Sequence, residues 1–157
     1  SQQEFDESSI TTADPYKNAY QIASGKLKSA YSLYGLSIPL LCADTVVCAG
    51  GKLLGKASSK EEAREFLSLQ SGGRVEIVSA TMYWSQRVRF EDLSVTTYFF
   101  DTFMEGDIKN YLDSGEWRGK AGACMVEGFC KKYIKNVIGL ESTAMGLSIE
   151  RILPFLE

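Results

Sequence analysis

The chain has 157 residues, 45% of them hydrophobic and 24% charged, with a net charge of −3 and an isoelectric point near 5.1. That length can bury a substantial core in one domain, and that acidity excludes broad binding to nucleic-acid polymers or anionic membrane surfaces. Histidine is absent, which excludes Ser-His and Cys-His dyads and an imidazole proton shuttle, leaving acid–base work to carboxylates, lysine, tyrosine or cysteine.

The first twelve residues are polar and expected to be irregular, with Phe5-Asp6-Glu7-Ser8 their one distinctive part. Asp14-Pro15 reads as a helix start, an N-cap acid followed by proline in the first turn. Tyr16, Ala19, Tyr20, Ala23, Leu27, Ala30, Tyr31 and Tyr34 follow at helical spacing and are expected to form one face toward a core, and Gly35 ends the helix. Lys17, Lys26 and Lys28 are its cations.

Ile38 to Cys48 reads as a strand entered through Pro39. Its apolar run Leu40-Leu41-Cys42-Ala43 lacks alternation, as in a strand covered on both faces. Asp44 ends the run. An acid there either caps the strand or meets a cation, a metal or several donors, because burying it alone is costly. Gly50-Gly51 predicts a tight hairpin, with Lys52-Leu53-Leu54 returning and Lys56 just beyond. Gly50, Gly55 and Lys56 match the spacing of a phosphate-binding loop, but Ala57 replaces the hydroxyl residue that would ligate magnesium. An acid and a lysine on either side of a hairpin suit work on a phosphate, or a plain ion pair at a strand end.

Ser59-Lys60-Glu61-Glu62 is a capping box for a helix running through Leu69, stopped by Ser71-Gly72-Gly73. Arg74 to Trp84 and Gln86 to Phe100 are β-rich and expected to pair antiparallel. Met104 to Leu112 predicts a short helix. Ala121 to Val126 and Phe129 to Ile134 predict two short strands around a Glu127-Gly128 turn, and Met145 to Leu156 a closing helix. Cys42, Cys48, Cys124 and Cys130 form two pairs of equal spacing with no CxxC. They read as small buried side chains in a reduced compartment rather than a zinc site. No apolar run has membrane-spanning length and no signal peptide is visible, so a cytoplasmic location is expected.

Taken together, these stretches resemble the Maf family of nucleoside triphosphate pyrophosphatases, known also as septum-formation inhibitors. Ala43-Asp44-Thr45-Val46-Val47 is similar to the family's ADTVV motif, and Gly51-Lys52-Leu53-Leu54-Gly55-Lys56 to GKxLGKP. Phe5-Asp6-Glu7-Ser8, Ile22 to Leu27, and Ser114 to Gly122 extend the likeness over nearly the whole chain. The resemblance implies an α/β fold, a mixed, twisted β-sheet flanked by helices, as a single domain over 1–157. The family's opening strand and Ser-x-Ser-Pro-Arg-Arg loop have no counterpart in this sequence, Ala57 stands for its proline, and Ser79-Ala80 for its Thr-Gly.

It further implies hydrolysis of a nucleoside triphosphate to monophosphate and pyrophosphate, serving nucleotide house-cleaning or cell-division arrest. Asp44 would be catalytic. Lys26, Lys56 and Glu127 would bind substrate. Glu7 and Asp44 would hold a divalent cation, Mg²⁺ or Mn²⁺. Glu127 resembles the branch acting on 7-methyl-GTP, whereas glutamine marks the dTTP/UTP branch. A homodimer is implied as well. The competing expectation is a nucleotide-binding regulatory protein with weak turnover.

Overall fold

The computed structural model describes residues 4–156, so the first three residues of the polar opening lie outside it. The secondary elements are α1 (Pro15–Tyr34), β1 (Leu40–Ala49), β2 (Lys52–Leu54), α2 (Lys60–Gln70), β3 (Arg74–Trp84), β4 (Arg89–Phe100), α3 (Glu105–Ser114), β5 (Ile134–Ile138), α4 (Glu141–Ala144) and α5 (Ile149–Ile152). The strands form one open sheet in the order β2-β1-β3-β4-β5. The α/β class is as expected. The sheet is antiparallel where a mixed one was expected: tight turns join β1 to β2 and β3 to β4, and α3 returns the chain from β4 to its neighbour β5.

Local chemistry explains most of the boundaries. Asp14 accepts a hydrogen bond from the Lys17 amide at 2.9 Å and Pro15 opens α1. Gly50 and Gly51, at φ 57° and 74°, supply the two left-handed residues of the β1–β2 turn. That turn sets the register Val47 to Leu54, Cys48 to Leu53 and Ala49 to Lys52. Ser59 caps α2 by accepting from the Glu62 amide, and Gly115 at φ 75° ends α3. β5 pairs with β4 antiparallel, with a bulge between Phe99 and Phe100.

Four expectations need correction. The core stripe of α1 is Ala19, Ile22, Ala23 and Leu27, while Tyr16, Tyr20, Tyr31 and Tyr34 lie exposed. The tyrosines are amphipathic and sit at the rim; Tyr20 donates to Glu91 and Tyr31 meets the Trp84 ring edge-on. The two strands expected over Ala121–Ile134 are turns and a 3-10 helix (Lys131–Tyr133). Gly119, Gly122 and Ala123 all have positive φ, which no regular ladder accepts. The closing helix is cut to α5 and a 3-10 turn (Leu153–Phe155), because Gly146 takes φ 107° and Pro154 lacks an amide donor. Finally, Cys124 and Cys130 are joined in a disulfide, whereas Cys42 and Cys48 are free thiols on β1.

The chain forms two compact units. The first comprises Ser1–Thr45, Val78–Val95 and Leu140–Glu157. Its core holds the α1 stripe, Val78, Ala80 and Met82 of β3, and Ile152. The second comprises Val46–Ile77 and Thr96–Gly139. Its core holds Leu54, Leu67, Val75, Phe100, Phe103, Leu112 and Trp117. Among the described residues no helix is long and apolar enough to cross a membrane.

Candidate active site

Asp44 lies midway along β1, where alternation sends its side chain to the face of Cys42 and that of Thr45 to the other. Its carboxylate is only 13% exposed and accepts a hydrogen bond from Lys26 Nζ at 3.1 Å. Lys26 stands one turn after Ile22 in α1, at the margin of the buried stripe. The same ammonium is 2.9 Å from Glu7 Oε1. One lysine therefore holds two carboxylates from separate parts of the chain.

Glu7 is placed by its neighbours. Asp6 caps the 3-10 turn Glu7–Ser9, accepting from the Ser8 amide at 2.9 Å and the Ser8 hydroxyl at 2.6 Å. The Phe5 ring lies over Gly25, so close that a Cβ there would meet Cζ at 2.2 Å. The absence of a side chain at Gly25 thus lets the Glu7 segment lie against α1 one residue from Lys26.

Burial, opposed by Lys26, raises the Asp44 pKa above its ordinary value. Glu7 adds to the rise by repulsion. Burial also works against the charge on Lys26, but its hydrogen bonds to Glu7 and Asp44 outweigh this and raise its pKa. The lysine remains a cation at neutral pH. The site so pairs a permanent positive charge with a carboxylate that gives up its proton reluctantly, a combination able to orient and deprotonate water beside an anion.

Glu7 and Asp44 also fit a hard divalent cation. Their carboxylates converge on one point of positive charge, and Mg²⁺ commonly takes one or two carboxylates with waters and substrate phosphates. Among the described residues no group of three or more His, Cys, Asp and Glu gathers as a full protein cage.

Behind Asp44 lies a chain of hydroxyls that the sequence did not reveal. The Ser79 hydroxyl donates to the Thr143 carbonyl at 2.7 Å, so its 2.7 Å contact with Thr45 Oγ1 is one in which Thr45 donates. Thr143 Oγ1 continues the chain to Ser94 at 2.6 Å and Ser148 at 2.8 Å. Ser79, Thr143 and Ser148 are fully buried. The network fixes the residue next to Asp44 from the opposite face of β1. Its one signal in the sequence was a serine at position 79, following the apolar pair Ile77-Val78 of β3.

The other two expected site residues belong to the second unit. Lys56 is exposed, and its backbone forms a bridge with Ala121. Glu127 is exposed in a turn closed by the Gly128 amide on the Met125 carbonyl at 3.0 Å. The ammonium that meets Asp44 is that of Lys26.

The fold is an α/β sheet in which a half-buried acid of β1 shares the Lys26 ammonium of α1 with a second acid, Glu7. The chain belongs to the Maf family: the model for Maf-like proteins matches residues 1–157. It is 52% identical over 153 residues to the nucleoside triphosphate pyrophosphatase of a Nitratiruptor species, covering 95% of this chain and 82% of that protein. It is 37% identical over 153 residues to a nucleoside triphosphate pyrophosphatase of Helicobacter pylori, covering 98% and 80%. A Campylobacter jejuni protein of the same name is 35% identical over 156 residues, covering 98% and 85%.

Proposed function

We propose that this chain hydrolyses a nucleoside triphosphate to the monophosphate and pyrophosphate, with Asp44 as the catalytic carboxylate. The observation that carries this reading is the Asp44–Lys26–Glu7 cluster: a desolvated acid sharing one ammonium with a second acid. The relatives' names give the reaction class.

In this reading the triphosphate enters beside Lys26, whose positive charge stabilises the negative charge that builds on the bridging and non-bridging oxygens. Asp44 orients the attacking water and takes its proton as the phosphoanhydride breaks. Glu7 and Asp44 would hold a divalent cation, Mg²⁺ or Mn²⁺, which neutralises phosphate charge when bound. Lys56 supplies a further cation toward the phosphates. Glu127 reads the base; a carboxylate accepts from a cationic methylated guanine better than a neutral amide does. This favours 7-methyl-GTP among non-standard and pyrimidine nucleotides, and a house-cleaning role.

The test is pyrophosphate release from the purified chain over a panel of 7-methyl-GTP, dTTP, UTP and the standard nucleotides, with Mg²⁺ or Mn²⁺. Release of pyrophosphate, not orthophosphate, with 7-methyl-GTP preferred, is the expected result. Nucleotide that raises the melting temperature without any turnover would instead identify a nucleotide-binding regulatory protein. Loss of 7-methyl-GTP preference alone would reject the role given to Glu127.

A further inference from the structure

Cys124 and Cys130 are bonded across a short turn, and Glu127 stands at its midpoint. The two ends of that turn are held by other means. Upstream, Tyr111 Oη donates to the Ala123 carbonyl and Gln70 Nε2 to the Gly122 carbonyl, each at 2.7 Å. Ala123 is fully buried and kept at φ 64°, a conformation a non-glycine residue adopts only when its surroundings impose it. Downstream, Cys130 is buried, Phe129 stacks on Tyr111 with centroids 4.5 Å apart, and the Tyr133 amide donates to the Cys130 carbonyl at 3.0 Å. The Cα atoms of the two cysteines are 6.6 Å apart, within the span a disulfide bridges. Between them, Met125 and Glu127 are exposed.

The surroundings also supply a partner for the unbonded state. Gln70 is fully buried, and its amide nitrogen is used on Gly122 and Phe66. Its Oε1 faces Cys124 Sγ at 3.6 Å. A disulfide sulfur carries no proton, whereas a thiol is a weak donor. Cys124 as a thiol therefore offers this buried acceptor a donor that the disulfide lacks. The oxidised form has the covalent bond; the reduced form has a hydrogen bond to Gln70 in its place.

We propose that Cys124 and Cys130 form a redox-active site that exchanges with small-molecule disulfides and switches the Glu127 turn between a clasped and a free state. Cys124 is the half-buried residue of the pair, Cys130 being buried, and reacts first. Its thiolate attacks one sulfur of the small disulfide, forming a mixed disulfide and expelling one small thiolate. The Cys130 thiolate then attacks Cys124 Sγ, closing the protein disulfide and releasing the second small thiolate. The protons lost by the two cysteines go to the two thiolates released. Two electrons pass from the protein to the small disulfide, and reduction reverses each step. The consequence for catalysis rests on the role given to Glu127 above; the redox exchange and the loosening of the turn do not.

The test uses the full chain equilibrated over a range of reduced-to-oxidised glutathione ratios. Free thiols are trapped by alkylation and located by mass spectrometry, so that Cys42 and Cys48 are counted separately. Amide hydrogen exchange over residues 125–129 and kcat/KM for the preferred nucleotide are measured in both forms. The expected result is reversible interconversion of the Cys124–Cys130 pair in a chain that stays folded. Exchange over 125–129 should be about tenfold faster in the dithiol form, and kcat/KM should differ by about threefold or more between forms. A C124S/C130S variant should match the dithiol form; the wild-type comparison stands without it if that variant does not fold. A pair that stays wholly bonded or wholly reduced at every ratio overturns the proposal. So does equal exchange over 125–129 in the two forms; a measurable but equal kcat/KM in the two forms rejects the role given to Glu127 instead. Thiol exchange and a loosened turn in a chain with no turnover in either form would support the redox device and reject the pyrophosphatase reading instead.

Discussion

Single side chains carry the sharpest consequences. Asp44 has its pKa raised chiefly by burial, with Lys26 opposing. The folded state therefore holds the Asp44 proton more tightly than the unfolded chain does, and stability falls as pH climbs from the ordinary value of 3.8 through the raised one. A neutral amide avoids that loss. Asp44→Asn is expected to be more stable than the parent at neutral pH, with the advantage shrinking toward pH 4, as read by urea midpoints at the two pH values. Its turnover should fall by about 10²- to 10⁴-fold, the usual contribution of a positioned acid–base group. A variant less stable than the parent at neutral pH would mean that the Lys26 bond outweighs burial. Thr81 gives a second test of polar burial. Its side chain is 1% exposed, and Oγ1 has no hydrogen-bond partner. Thr81→Val keeps the β-branched shape and removes the orphan hydroxyl, so it should raise stability by about 1–3 kcal/mol with kcat unchanged. A thermal or urea melt showing a loss would reveal a partner for that hydroxyl, such as a bound water.

At the scale of elements, the placement of Glu7 depends on a helix residue that has no side chain. A Cβ at Gly25 would lie 2.2 Å from Phe5 Cζ, so Gly25→Ala must push the ring away and carry the Glu7 turn with it. Alanine favours helix, so α1 itself should gain stability, by up to about 1 kcal/mol. Activity should nevertheless drop, and Phe5→Ala should restore part of it by relieving the clash. If Gly25→Ala leaves kcat/KM intact, the Phe5 contact does not place Glu7. This dependence was not legible in the sequence, because nothing local at position 25 announces a contact with position 5. The elements that were legible carry their own signals: the Asp14-Pro15 cap, the Gly50-Gly51 turn and the Ser59 capping box. The segments misread are those where one residue overrides the local pattern. Ala123 at φ 64° defeats the strand expected around it, and Pro154 shortens the closing helix. Half of the site followed the same rule. Asp44 was visible as an acid ending an apolar run, whereas the choice of Lys26 as its partner depended on tertiary packing. The hydroxyl chain through Ser79 and Thr143 joins residues 64 positions apart, a separation no local pattern spans.

For the whole molecule, the deciding quantity is a net charge of −3 on a protein proposed to bind a polyanion. A basic protein that gathers phosphates through a broad positive field loses affinity steeply as salt displaces it. Here the long-range field repels the substrate, and attraction is confined to individual lysines such as Lys26, whose side chain is 35% exposed and already engaged by two carboxylates. Screening thus acts in two directions. Moving from about 10 mM to about 150 mM salt shortens the Debye length from roughly 30 Å to roughly 8 Å, which relieves the global repulsion. The short contacts at Lys26 are partly shielded from solvent and are weakened less. The two effects should nearly cancel, so kcat/KM for the preferred nucleotide is expected to change by less than about threefold over that range. Steady-state rates at fixed free divalent cation and rising potassium chloride measure this directly. A steep fall, approaching one power of ten per tenfold rise in salt, would require an extended cationic surface. In that case the substrate would be held by many surface charges, and the Asp44–Lys26–Glu7 cluster would lose its place as the principal anchor.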